Sequence, residues 1–120
     1  MTPEELTERV RGICLAFPES EERVSHGSPA FFVKKQFVML WPQGHHDRAE
    51  PHLWAAAGAG VQDEVVASEP ERFFVPPYVG GRGWIGMRLD GGIDWAEVAE
   101  VCEDAYRHIA PQRLVRELDR

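Results

Sequence analysis

Leu6, Val10, Ile13, Cys14 and Phe17 recur at three- and four-residue intervals, which places them on one stripe of a helix that Pro18 ends. Thr2 with Glu5 three residues on forms a capping box, and Pro3 takes the first helical position, where its missing N–H costs nothing. A second stripe, Val98, Val101, Cys102, Ala105 and Ile109, follows Asp94. Asp94 caps a long helix, Glu97 supports the cap and Ile93 is placed to staple onto Val98. Pro111 starts a short final helix carrying Leu114, Val115 and Leu118. Between these ends the period changes. Short apolar runs over about 23–26, 30–33, 36–41, 52–56 and 84–89 carry the signature of strands. Only Lys34 and Lys35 separate the second run from the third, which predicts a tight hairpin, although neither lysine favours positive φ. A short helix is expected over 61–67, after Gly58 and Gly60, and a further helical turn from Ser68, with Glu71 closing another capping box.

Strands joined by tight turns, with helices at both ends and one between, predict an α+β fold in a single domain spanning 1–120. Its sheet is antiparallel, with about five strands. The sequence has no full-length β-helix-β units, which argues against a parallel nucleotide-binding sheet. On the last strand Ile85, Met87 and Leu89 share one face; Trp84 and Arg88 share the other, with Gly86 between them. Trp54 alternates with Leu53 and Ala55, and Phe37, Met39 and Trp41 stand opposite Val38 and Leu40. Both faces of the sheet are therefore apolar in places. If helices cover one face, Trp54, Tyr78 and Trp84 line a shallow groove rimmed by Arg82 and Arg88, suited to bases or to an aromatic or anionic small molecule. If helices cover both, every tryptophan is core.

Residues 73–90, FFVPPYVGGRGWIGMRLD, lead two prolines and a glycine-rich turn into an alternating strand, and 17–33, FPESEERVSHGSPAFFV, wraps turn chemistry around short apolar runs. In order and spacing, these segments resemble the MmcQ/YjbR family of small bacterial proteins. The match runs from Phe17-Pro18 through Ser25-His26-Gly27 and Pro29-Ala30-Phe31 to Pro77-Tyr78 and Gly83-Trp84, and finishes at Tyr106 and Pro111-Gln112-Arg113. The resemblance covers nearly the whole chain. It implies a small antiparallel sheet with helices packed against it, sometimes called a double-wing arrangement, and weak, sequence-tolerant DNA binding through the wings. The residues that would meet phosphates are Lys34 and Lys35 at the hairpin tip and Arg82 and Arg88 in the glycine loop and strand.

Charge changes this picture. Twenty acidic against 13 basic side chains leave a net charge of −7, whereas DNA-binding domains draw most of their non-specific affinity from Lys and Arg on phosphates. Acidic helices suit a basic protein partner at least as well. The alternative function is thus a non-enzymatic interaction or small-ligand module built on Trp54, Tyr78 and Trp84, with a basic protein or an aromatic or anionic small molecule as partner.

Candidate chemistry is sparse. His45, His46, Asp47 and His52 look superficially like metal ligands, but four-ligand spacing is lacking, so a solvated loop over 42–51 and no metal are expected. His26 could act as acid or base if Glu22 oriented it; the plainer expectation is a turn histidine bonded to a backbone carbonyl. Gly80-Gly81-Arg82-Gly83 lacks the GxxxxGK[ST] pattern and precedes a strand, so a tight turn replaces a phosphate loop. No nucleophile, activated base and oxyanion site come together, which predicts neither catalysis nor a cofactor. No apolar run approaches the roughly 20 residues of a membrane helix. The acidic start is unlike a secretory signal, and Cys14 and Cys102 fit reduced core thiols. A cytoplasmic location follows as the expectation.

Overall fold

The computed structural model describes residues 1–46 and 48–120 and begins with helix α1 (Pro3–Cys14). Its capping box forms as expected: Glu5 N–H donates to Thr2 Oγ1 at 3.1 Å and Thr2 N–H donates to Glu5 Oε1 at 2.8 Å. Helix α2 (Val61–Ser68) lies mid-chain, and α3 (Trp95–Ile109) and α4 (Gln112–Leu118) close it. Asp94 Oδ1 accepts from the N–H groups of Ala96 and Glu97. The Glu97 side chain turns elsewhere and pairs with Arg72. None of the described helices is long and apolar enough to cross a membrane.

Strands β1 (Glu21–Ser25), β2 (Ser28–Val33), β3 (Lys35–Trp41), β4 (His52–Ala55), β5 (Phe73–Phe74) and β6 (Ile85–Arg88) form one antiparallel sheet in the order β1-β2-β3-β4-β6-β5. The α+β class and the flanking helices match the sequence expectation, while the sheet has six strands among the described residues rather than about five. The extra one is β5, whose two residues are too few to show a period; Phe73 pairs with Met87 and Phe74 with Gly86. The helical turn expected from Ser68 does not form. Ser68 instead ends α2, its hydroxyl donating to the Glu64 carbonyl at 2.7 Å.

Register sorts the sheet residues into two faces. Leu40, Leu53, Met87 and Phe73 make one cross-strand row; Met39, Trp54, Gly86 and Phe74 make the next, on the opposite face. The first face packs under α3, which meets β3 and β4 and is itself backed by α1. Phe37 departs from the expected alternation. Phe31 pairs with Val38 and Phe32 with Gln36, so Phe37 is the extra residue of a β-bulge. It turns to the helical side and packs on Phe17 and Tyr106, with ring centroids 6.1 and 5.6 Å away. Tyr106 also donates its hydroxyl to the Pro18 carbonyl at 2.7 Å, tying α3 to the end of the first helix. Cys14 and Cys102 are free and buried, and burial holds the Cys14 thiol well above its usual range.

Candidate functional site

The face of the sheet opposite α3 carries a cavity of about 570 Å³. Its floor comes from the strands: Met39 and Trp41 of β3, Trp54 of β4, Gln36 before the bulge and Trp84 at the foot of β6. Three turns build its walls.

The first wall is the two-residue connection between β1 and β2. Ser25 pairs with Ser28, and His26 and Gly27 between them both have positive φ, 52° and 78°, the handedness of a type I′ hairpin turn. Ser25 and His26 therefore stand at the cavity, with Ser25 Oγ 3.1 Å from His26 Nδ1. Glu22 does not orient this histidine. Its carboxylate accepts from Arg11 Nε and Nη2 at 2.6 and 2.8 Å, and that guanidinium holds its pKa below the usual range.

The second wall follows Trp41. Gly44, with φ 83°, allows the chain to fold back over the Arg48–Ala49 backbone, where a Cβ would overlap main-chain atoms. His45 and Arg48 then exchange backbone hydrogen bonds of 2.9 and 3.1 Å. The solvated loop expected here is not what forms at His45. Its ring stacks on Trp41 at 3.8 Å and 21°, and stands edge-on to Trp54 at 5.3 Å. His46 follows with φ 56°, which brings the two imidazoles to 3.9 Å where an extended chain would point them apart. Burial pushes the His45 pKa down, and the neighbouring His46, His52 and His26 add to that. Asp47 lies outside the described residues. His52 belongs to β4 and is buried, its Nδ1–H donating to the Glu50 carbonyl at 2.9 Å. Among the described residues no three His, Cys, Asp or Glu side chains form a metal cluster.

The third wall is the proline–glycine segment. Tyr78 has φ 65°, and Val79 N–H donates to the Pro77 carbonyl across it at 2.7 Å. Its hydroxyl is hydrogen-bonded to His46 Nε2 at 2.7 Å, joining the second wall to the third, and its ring is 6.4 Å from Trp54. Gln62 of α2 anchors the segment from behind by donating to the carbonyls of Gly80 and Trp84 at 2.9 and 2.7 Å. The glycine run itself is a short 3-10 turn, Gly80–Arg82, with no phosphate-cradling helix after it.

Trp54, Tyr78 and Trp84 all line the one cavity; the two tryptophans are buried, whereas Tyr78 is 77% exposed at its edge. Arg82 stands beside them, its guanidinium 5.3 Å from the Trp84 ring centre. Arg88 does not rim the cavity. It binds Asp90 at 3.1 Å, lies 3.7 Å from Glu50 and donates to the Glu71 carbonyl. Lys34, with φ 65°, lies 3.6 Å from Glu19, while Lys35 opens β3 and is exposed. Because β3 and β6 both run antiparallel to β4, Lys35 and Arg88 sit at opposite ends of the sheet. Gln36, Met39 and Gln62 carried no signal as site residues. The Pro42-Gln43-Gly44 turn was the available clue that His45 folds back.

The YjbR family model matches residues 15–108 of this chain. The chain also aligns with a crystal structure of a Deinococcus radiodurans protein containing a DUF419 domain, with a TM-score of 0.70 and 16% identity, covering 98% of this chain and 88% of that one. That likeness is one of fold. No curated protein matches the chain.

Proposed function

The chain belongs to the YjbR family, and on that premise we propose that it is a non-enzymatic module holding a planar aromatic small molecule in the cavity over the sheet. The observation that carries this is the cavity itself: about 570 Å³ with Trp41, Trp54, Trp84 and Tyr78 on its lining. That volume falls within the range of small-molecule sites, and aromatic faces offer large apolar area at little entropic cost. Strain points the same way. Of five described non-glycine residues with positive φ, three (His26, His46 and Tyr78) line the cavity. Such conformations cost on the order of 1 kcal/mol each and gather where a ligand site needs particular side chains aimed inward.

Charge favours this over the nucleic-acid alternative, in which the β2–β3 turn and the glycine loop would serve as wings. Lys34 and Arg88 are both engaged with carboxylates, and the chain carries −7 overall. The proposal assigns no covalent step: Ser25 and His26 are neighbours in one turn, and Glu22 is committed to Arg11. Calorimetric titration with indole, quinoline and adenine tests it. Saturable binding of at least one is expected, abolished by Gln36→Trp, which drives an indole into the cavity, with the fold checked by circular dichroism. Silence across the panel, or binding that Gln36→Trp leaves unchanged, would sink the proposal.

A further inference from the structure

Three buried side-chain nitrogens have no hydrogen-bond partner among the described residues: Nε1 of Trp41, Nε1 of Trp54 and Nδ1 of His45. All three belong to residues lining the cavity. Their rings form one group, with Trp41 and Trp54 centres 5.1 Å apart and His45 at 3.8 and 5.3 Å from them. Nearly every buried polar atom in a folded protein is paired, so three exceptions at one wall call for a reason. An indole N–H can only donate. Two of the three groups therefore ask for the same complement, an acceptor. Burial lowers the pKa of His45 and so favours its neutral ring, which carries its proton on either nitrogen. Two other polar groups of the lining have partners within it: Gln36 donates its amide to the Met39 sulfur at 3.1 Å, and Ser25 Oγ is hydrogen-bonded to His26 Nδ1.

The charge of the acceptor follows from the rest of the lining. Among the described residues that line the cavity there is no lysine or arginine, and Arg82 beside it is exposed and reaches the Trp84 ring, not Trp41, Trp54 or His45. A carboxylate would be buried there without a countercharge, a penalty that a carbonyl avoids. We infer that the cavity selects, among planar aromatics, an uncharged one bearing a carbonyl oxygen that accepts from the Trp41 and Trp54 indoles. This rests on the ligand-binding function proposed above. The two nitrogens are shielded from solvent and the His45 ring lies against both indoles. A ligand that reaches them displaces the His45 ring and brings its oxygen to the edges of the two indoles, in the ring planes where their N–H groups point.

Isothermal titration of the wild-type protein with indole, indole-3-carboxaldehyde and indole-3-carboxylate tests the inference. The carboxaldehyde should bind about tenfold tighter than either of the others, the worth of satisfying one or two buried donors. Trp41→Phe and Trp54→Phe keep a ring and remove the N–H. Each should cut the ratio of carboxaldehyde to indole affinity severalfold, because the ring area lost weakens both ligands alike whereas the lost N–H weakens only the carboxaldehyde. Melting curves establish that the variants are folded; should a variant unfold, the wild-type ranking decides alone. Equal affinity for indole and the carboxaldehyde overturns the inference while leaving aromatic binding intact, and tightest binding of the carboxylate overturns the choice of an uncharged ligand. Binding of none of the three removes the inference together with the function beneath it.

Discussion

His52 is the one polar side chain fully buried among the described residues, 1% exposed, held by the Glu50 carbonyl and set edge-on to Phe74 at 5.4 Å. Burial lowers its pKa, with the Glu50 carbonyl and carboxylate opposing in part. In the unfolded chain a histidine takes up its proton near pH 6.5, whereas the folded protein takes it only at lower pH. Between those two values the unfolded state binds more protons, so stability rises with pH and falls as the solution is acidified. Urea unfolding should show a loss between pH 7 and 5.5, with a limiting slope of about 1.4 kcal/mol per pH unit for one proton. His52→Asn keeps a donor near the Nδ1 position and cannot titrate, so its profile over that window should be flatter; a slope equal to wild type would assign the proton to another group, with His45 next in line. Residue-level conformation was the least legible part of this chain. His26, Lys34, His46 and Tyr78 all adopt the positive φ that sequence patterns reserve for glycine and asparagine. His45 and His46 were therefore expected in a solvated loop, because nothing local announces a strained backbone that tertiary contacts hold in place.

Elements were more legible where their signals are local. The Thr2–Glu5 capping box, the Asp94 cap, the helix stripes and the strand alternation describe hydrogen bonds and faces within a few residues, and α1, α3 and the antiparallel class follow from them. The box expected at Ser68 and Glu71 is the local signal that failed. Strand β5 and the bulge at Phe37 depend on partners far along the chain, and both escaped. Gly86 shows what β5 does. The Phe74 ring lies directly over it, a Cβ there would overlap three ring atoms, and Arg48 stacks on the same ring with its guanidinium 3.6 Å from the centre. Gly86→Ala should lower stability by about 1–3 kcal/mol through overpacking. Combining it with Phe74→Leu should cost less than the two changes added, because the second makes room for the first. Additive losses would mean that the ring does not press on the strand. The Tyr106–Pro18 contact makes a comparable test at the helical end. Tyr106→Phe leaves the Pro18 carbonyl without its donor and should cost about 1–2 kcal/mol with the denaturant slope unchanged, whereas a neutral effect would show that water replaces the hydroxyl.

For the molecule as a whole, the sequence discloses how many charges there are, and only the fold discloses which are engaged. Lys34 lies by Glu19, which also takes both Nη atoms of Arg113; Arg88 is divided between Asp90 and Glu50. To reach a phosphate, either cation would first leave a carboxylate. Lys35 and Arg82 remain exposed without an ion pair among the described residues. If those two alone met duplex DNA, the log–log salt slope would be about −1.8, and if all four candidates did, about −3.6. Against a net charge of −7, two exposed cations leave little attraction beyond a Debye length of about 10 Å at 0.1 M salt. Fluorescence anisotropy of a labelled duplex in 50 mM salt should therefore show no saturation into the micromolar range, and Lys34→Ala/Lys35→Ala/Arg82→Ala should behave like wild type. A saturating isotherm with a slope near −3.6, lost in the triple variant, would require the ion pairs at Glu19 and Asp90 to open on DNA. The turns would then act as wings, and the aromatic cavity would not be the main binding surface of this chain.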